Sequence, residues 1–164
     1  MINVFDNVLD NDIINEYYNN IKKHYNDEVN KGANPLDWYP TRNKSLDNNN
    51  SIIEKVKNVL ESRLKIKLTI SDAELQTWPV GCGSKLHIHT EEVRKKQNED
   101  FNSMLYLNDD FDGGEFHTED VVIKPKKGRL TFFNGYKTWH GVKSIERNNR
   151  YTIIFWWKNT KELI

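Results

Sequence analysis

Two different spacings of apolar residues succeed one another along this chain. At Ile13–Ile21 and again at Ile52–Leu64 the apolar positions recur at helical spacing, and from Leu68 onward they alternate with polar ones. Met1 to Leu9 alternates loosely (Ile2, Val4, Phe5, Val8) and predicts a short strand leading into a turn. Asp10 or Asn11 is placed to cap a helix whose apolar side is Ile13, Ile14, Tyr17, Tyr18 and Ile21, ending near the lysine-rich segment at His24. A second helix is expected from Ser51, with Ile52, Ile53, Val56, Val59, Leu60 and Leu64 on one side. Between them, residues 26–50 are polar and irregular, with Gly32, Pro35 and Pro40 as breakers around Trp38-Tyr39. So long an irregular stretch is usually functional or mobile.

The alternating part predicts short strands at Leu68–Ile70, Glu74–Trp78, Lys85–His89, Ser103–Leu107, Gly114–Thr118, Val121–Ile123, Leu130–Phe133, Thr138–Val142 and Tyr151–Trp157. Turn residues punctuate them: Asp72, Pro79-Val80-Gly81, Asp112-Gly113-Gly114, Lys127-Gly128 and Asn134-Gly135. Two helices followed by many short strands give an α+β class, with the helices buttressing an antiparallel sandwich or barrel.

Composition narrows the function classes. The chain has 164 residues and neither an internal repeat nor a linker, so residues 1–164 are expected to form a single domain. With 24 basic and 24 acidic residues there is no electrostatic case for nucleic acid or an anionic membrane as partner. A single cysteine, Cys82, excludes an internal disulfide and suits a reducing compartment. With no apolar run of spanning length and no leader pattern, the expectation is a cytoplasmic protein that does not engage membranes.

The chemistry concentrates in Gly81-Cys82-Gly83-Ser84-Lys85-Leu86-His87-Ile88-His89-Thr90-Glu91. On a strand, His87, His89 and Glu91 would point to one side. Imidazoles and a carboxylate on one face are metal-ligand chemistry, and a third histidine, His140, follows about fifty residues later. Two histidines with one carboxylate and open coordination positions form the facial set of non-haem Fe(II) sites. Arg150, opening the apolar strand Tyr151–Trp157, suits a dicarboxylate, which a guanidinium grips through two parallel hydrogen bonds.

The order of motifs carries a resemblance. Trp78-Pro79-Val80-Gly81, the histidine-rich strand, Met104-Leu105-Tyr106-Leu107-Asn108, Gly113-Gly114-Glu115-Phe116, Ile123-Lys124-Pro125-Lys126-Lys127-Gly128, Phe132-Phe133, His140-Gly141-Val142 and Arg150-Tyr151-Thr152 follow one another. Over roughly residues 74–157 the chain resembles the prolyl 4-hydroxylase-like 2-oxoglutarate/Fe(II)-dependent dioxygenases. That resemblance implies a double-stranded β-helix (jelly-roll) core and Fe(II) and 2-oxoglutarate as cofactors, and it admits ascorbate. It implies an O2-dependent hydroxylation of a C–H bond in a peptidyl proline, an amino acid or another small molecule. It makes His140 the distal iron ligand, Arg150 and Tyr106 the holders of the 2-oxoglutarate carboxylate, and Trp156 a pocket residue. Trp38 and Tyr39, with Arg42, are the expected lid.

The first ligand pair departs from the family's His-x-Asp pattern, and two registers stay open. Counting from Gly83 gives His89, Glu91 and His140; counting from Gly81 gives His87, His89 and His140. The first is preferred because a carboxylate lowers the net charge of an Fe(II) site. A second His-Thr-Glu string at His117 follows a Gly-Gly turn and is read as coincidence. Two other classes remain: a non-catalytic jelly-roll binding module, and a three-histidine cupin-type metalloenzyme that does not use 2-oxoglutarate. Arg150 argues against the latter, because a buried guanidinium there needs an anion.

Overall fold

The computed structural model describes residues 2–30 and 43–160. In chain order the elements are β1 (Asn3–Phe5), α1 (Asn11–Asn30), β2 (Lys44–Ser45), α2 (Ser51–Leu64), β3 (Leu68–Trp78), β4 (Ser84–His87) and α3 (Glu91–Gln97). There follow β5 (Phe101–Tyr106), β6 (Asp112–Gly113), β7 (Phe116–Thr118), β8 (Val122–Ile123), β9 (Leu130–Phe133), β10 (His140–Val142), β11 (Ile145–Arg147) and β12 (Arg150–Asn159). Trp38, Tyr39 and Arg42 lie outside the described residues.

Helix α2 starts where its cap dictates. The Asn50 side chain accepts from the Ile52 N–H at 3.2 Å, and the Tyr17 hydroxyl of α1 donates to the same oxygen at 2.5 Å, which ties the two helices together. Their apolar sides (Ile14 and Ile21; Ile52, Ile53, Val56 and Leu60) are fully buried. They press on a six-stranded sheet in the order β1-β9-β5-β12-β3-β2, whose strand pairs are antiparallel.

Strand β12 is central, pairing β3 from Arg150↔Trp78 to Asn159↔Leu68 and β5 from Thr152↔Tyr106 to Trp157↔Phe101. Its alternation sorts the molecule into two halves. Tyr151, Ile153, Phe155 and Trp157 join the helix-side core with Leu75, Leu105 and Leu130. Arg150, Ile154 and Trp156 face a second sheet, β4-β10-β7-β8. Between the sheets lies a smaller aromatic cluster of Trp78, Tyr106, Phe111, Phe116 and Phe133. Two facing antiparallel sheets with helices on the outer side make up the expected α+β jelly roll.

Several elements differ from the sequence reading, the short strands β2, β6 and β11 among them. The two strands expected at 68–70 and 74–78 are one, β3, and the turn signal at Asp72 is a bulge. Partners step from Trp156↔Asp72 to Trp157↔Ile70, leaving Ser71 extra, and its hydroxyl donates to the Asn98 carbonyl at 2.6 Å. Helix α1 continues past His24 to Asn30. The expected strand Lys85–His89 ends at His87, and a helix unforeseen in the sequence, α3, begins at Glu91. Thr90 caps it by accepting from the Val93 N–H at 3.2 Å, and Asn98 closes it at φ 50°.

Candidate active site

A cavity of about 360 Å³ opens between the two sheets. The smaller sheet and the loop after it supply three histidines. His87 is the last residue of β4 and lies opposite His140, the first residue of β10. His89 sits two residues beyond the strand, where its backbone N–H donates to the Gly135 carbonyl at 2.9 Å. Ring centroids are 4.4 Å apart for His87–His140, 5.0 Å for His89–His140 and 5.8 Å for His87–His89. One nitrogen from each ring falls within 4.8 Å of the other two.

The second nitrogens are all engaged. His87 Nδ1 meets the Lys85 carbonyl at 2.9 Å, His140 Nδ1 meets the Thr138 carbonyl at 2.7 Å, and His89 Nδ1 meets the Glu99 carboxylate. Each partner is an acceptor, so each Nδ1 carries a proton and Nε2 is the nitrogen left to face a metal. Burial holds the His140 imidazole neutral down to about 4; the Thr138 carbonyl opposes this, and the neighbouring His87 and His89 add to it. Three imidazoles whose Nε2 atoms converge suit a first-row divalent metal, which binds the neutral ring.

Glu91, the carboxylate of the preferred register, does not join this group. It opens α3, its side chain is 60% exposed, and it contacts Arg94 at 3.3 Å. The cause is local: Thr90 ends the extended backbone that would have kept residues 87, 89 and 91 on one side. His117 is absent from the cavity lining, while its neighbour Phe116 lines it.

The larger sheet supplies the opposite chemistry. Arg150 is fully buried; its Nη2 approaches Met104 Sδ at 2.8 Å, and among the described residues Nε and Nη1 have no partner. The guanidinium lies 5.2 Å from the ring centres of both Trp78 and Tyr106. The Tyr106 hydroxyl and Thr152 Oγ1 are likewise buried without a hydrogen bond among the described residues. A guanidinium and hydroxyls left so are costly. A carboxylate brought to them would satisfy both charge and donors, as the donor set of Arg150 requires. Trp156 and Ile154 line the cavity beside them.

Two residues of the site escaped the sequence reading. Glu99 and Asn102 are each 1% exposed and stand directly behind His89. Glu99 falls in Gln97-Asn98-Glu99-Asp100, which reads as an ordinary polar turn. Its only forewarning is the pair of helix signals at Thr90 and Asn98, which would have turned the segment back towards the strands.

Comparison with known proteins adds the family. Residues 74–158 match the family model of the 2OG-Fe(II) oxygenase superfamily. Prolyl 3-hydroxylase 2 of Mus musculus is 43% identical over 65 residues, which are 35% of this chain and 9% of that protein. The chain therefore spans under a tenth of the length of the curated relatives it matches. The viral collagen prolyl hydroxylase of Paramecium Bursaria Chlorella virus-1, solved as a 2OG complex, superposes with a TM-score of 0.71 at 18% identity, covering 98% of this chain and 96% of that one. A Pseudomonas putida prolyl-4-hydroxylase gives 0.70 at 15% identity, covering 98% and 93%. These two likenesses show the fold. With a matched segment that runs from the middle of β3 to nearly the end of β12, and that includes the three histidines and Arg150, the chain belongs to the 2OG-Fe(II) oxygenase superfamily.

Proposed function

We propose that this protein is a 2-oxoglutarate- and Fe(II)-dependent dioxygenase that hydroxylates a peptidyl proline. The observation that carries the reading is one cavity with two complementary ends: three histidines with free Nε2 atoms, and a buried guanidinium with unpaired N–H groups. His87, His89 and His140 would hold the metal. Arg150, with the Tyr106 hydroxyl, would hold the far carboxylate of 2-oxoglutarate. Bound there, Fe(II) and 2-oxoglutarate supply the oxidative chemistry, in which decarboxylation of the cosubstrate by O2 is coupled to C–H hydroxylation. The chain's own residues orient and enclose. Phe116, Phe133 and Met104 keep water from the space between the histidines and Arg150, which strengthens the grip of Arg150 on an anion. Trp78, Ile154 and Trp156 offer an apolar surface of the kind a pyrrolidine ring packs against. The prolyl hydroxylases among the relatives and the structural neighbours support proline as the target.

The test is anaerobic titration of the wild-type protein with Fe(II) and then 2-oxoglutarate, followed by aerobic incubation with proline-containing peptides. A visible charge-transfer band saturating at one equivalent, then succinate release and a 16 Da gain on the peptide, is the expected result. Without a band the reading falls. The three-histidine set also favours a second reading, a cupin-type metalloenzyme that does not bind 2-oxoglutarate. Arg150→Met separates the two. Losing one partner of a buried charge pair costs roughly 3–5 kcal/mol, so the variant should keep Fe(II) and need about a hundredfold or more 2-oxoglutarate. Unchanged 2-oxoglutarate demand would remove Arg150 from the cosubstrate site, and turnover that needs no 2-oxoglutarate in either protein would favour the second reading.

A further inference from the structure

The histidine cluster contains no carboxylate, yet a carboxylate stands one bond network away. Glu99 is 1% exposed, with the side chain wholly buried, and among the described residues its ion-pair partner is His89 alone. The nearest arginine in sequence, Arg94, is committed elsewhere: it pairs with Asp100 at 2.8 Å and lies over the Tyr136 ring at 4.4 Å. A buried carboxylate that faces no lysine or arginine among the described residues is expensive unless something positive answers it.

The hydrogen bonds around it are fully directed. The Gly135 N–H donates to Asn102 Oδ1 at 3.2 Å, which fixes which end of that amide is the donor. Asn102 Nδ2 then donates to Glu99 Oε2 at 2.5 Å, and His89 Nδ1 donates to Glu99 Oε1. Both carboxylate oxygens are therefore acceptors, and the far nitrogen of His89 faces the other two histidines.

Resting on the metal reading above, we infer that Glu99 is the charge-compensating carboxylate of the metal site, acting through His89 as a positioning residue in place of a directly bound acid. Three neutral imidazoles leave a divalent metal with its full charge, and an anion hydrogen-bonded to the ligand's other nitrogen raises ligand basicity and offsets that charge across the ring. Conversely, the metal supplies the positive partner that buried Glu99 lacks. The carboxylate has moved outward by one side chain, and the pair His89–Glu99 does what a single acidic ligand does elsewhere.

The test compares wild type, Glu99→Gln, Glu99→Asp and the double variant His89→Asp/Glu99→Gln for binding of Co(II) and, anaerobically, Fe(II), with apo-protein melting as the check on folding. Loss of a carboxylate behind a metal-bound histidine typically weakens affinity by roughly 10–100-fold. Glu99→Gln should show that loss with a shifted Co(II) visible spectrum, while its apo form stays folded. Glu99→Asp, which keeps the charge, should lose less; it carries the test should Glu99→Gln not fold. Bringing the acid into the site in His89→Asp/Glu99→Gln should recover most of the roughly 10–100-fold loss. Wild-type affinity in both Glu99 single variants overturns the role of Glu99 while leaving the metal site intact. Equal metal affinity with a lowered apo melting temperature assigns Glu99 a structural role only. Absence of metal uptake by the wild type itself overturns both readings.

Discussion

The neutrality of His140 is a cost the apo-protein bears at low pH. Its imidazole is buried and stays unprotonated down to about 4, whereas its ordinary value is 6.5. Below 6.5 the unfolded chain therefore binds a proton that the native state refuses, so stability falls as pH drops from 6.5 towards 4. At about 1.4 kcal/mol per unit the contribution reaches roughly 3 kcal/mol at the lower end. His140→Gln removes this dependence. The stability of apo wild type relative to the variant should fall as pH drops across that window; parallel profiles would sink the assignment. The residue types of the site were legible in the sequence: His87, His89, His140 and Arg150 were all singled out. The place of Glu91 outside the histidine cluster was not. The choice of Glu91 assumed an unbroken strand, and Thr90 breaks it with one side-chain hydrogen bond. Glu99 was invisible for a different reason, since its burial depends on a turn whose sequence is wholly polar.

At the level of elements, local rules succeeded where the backbone obeys them and failed where tertiary contacts rewrite them. Helix α2 begins at its Asn50 cap and its buried face is the one periodicity selects. Helix α3 buries none of its residues and so left no periodic trace; only its caps and its acidic-first, basic-last charges announced it. The Asp72 signal misled because Ser71 and Asp72 are absorbed by a bulge within a long strand. The turn at Asn134-Gly135 was read for its turn chemistry alone, and in the structure it does more. A Cβ on Gly135 would lie 2.6 Å from His89 Nδ1 and 2.7 Å from its Cε1, and would also collide with Asn102 Oδ1. The same glycine fixes His89 through its carbonyl and Asn102 through its N–H. Gly135→Ala should therefore push His89 out of register. Overpacking of this kind costs about 1–3 kcal/mol, and metal affinity should fall by roughly tenfold or more if the ligand geometry loosens as expected. Isothermal titration with Co(II) reads this directly; an alanine variant that binds as wild type would mean that the loop yields without moving the histidine.

Across the whole molecule, one strand separates stability from chemistry. β12 carries Ile153, Phe155 and Trp157 into the helix-side core and Arg150, Ile154 and Trp156 into the cavity. Adjacent residues on it are thus under different demands, although the sequence presents them as one apolar run. That is why Ile153 and Ile154 look equivalent in the chain and are not in the fold. Ile153 is fully buried among Leu75, Leu105 and the helices, so truncating it leaves a void. Ile154 is only partly buried and borders the cavity, where the missing methyls merge with existing space. Ile153→Ala should lose about 2–5 kcal/mol of stability yet bind Fe(II) and 2-oxoglutarate as wild type does whenever it is folded. Ile154→Ala should lose distinctly less than Ile153→Ala and instead weaken peptide turnover by removing apolar surface beside Trp156. Chemical denaturation and steady-state kinetics on the two variants separate the effects. Equal stability losses, or a binding defect in the Ile153 variant while it remains folded, would show that the two faces of β12 are coupled and that the division does not hold.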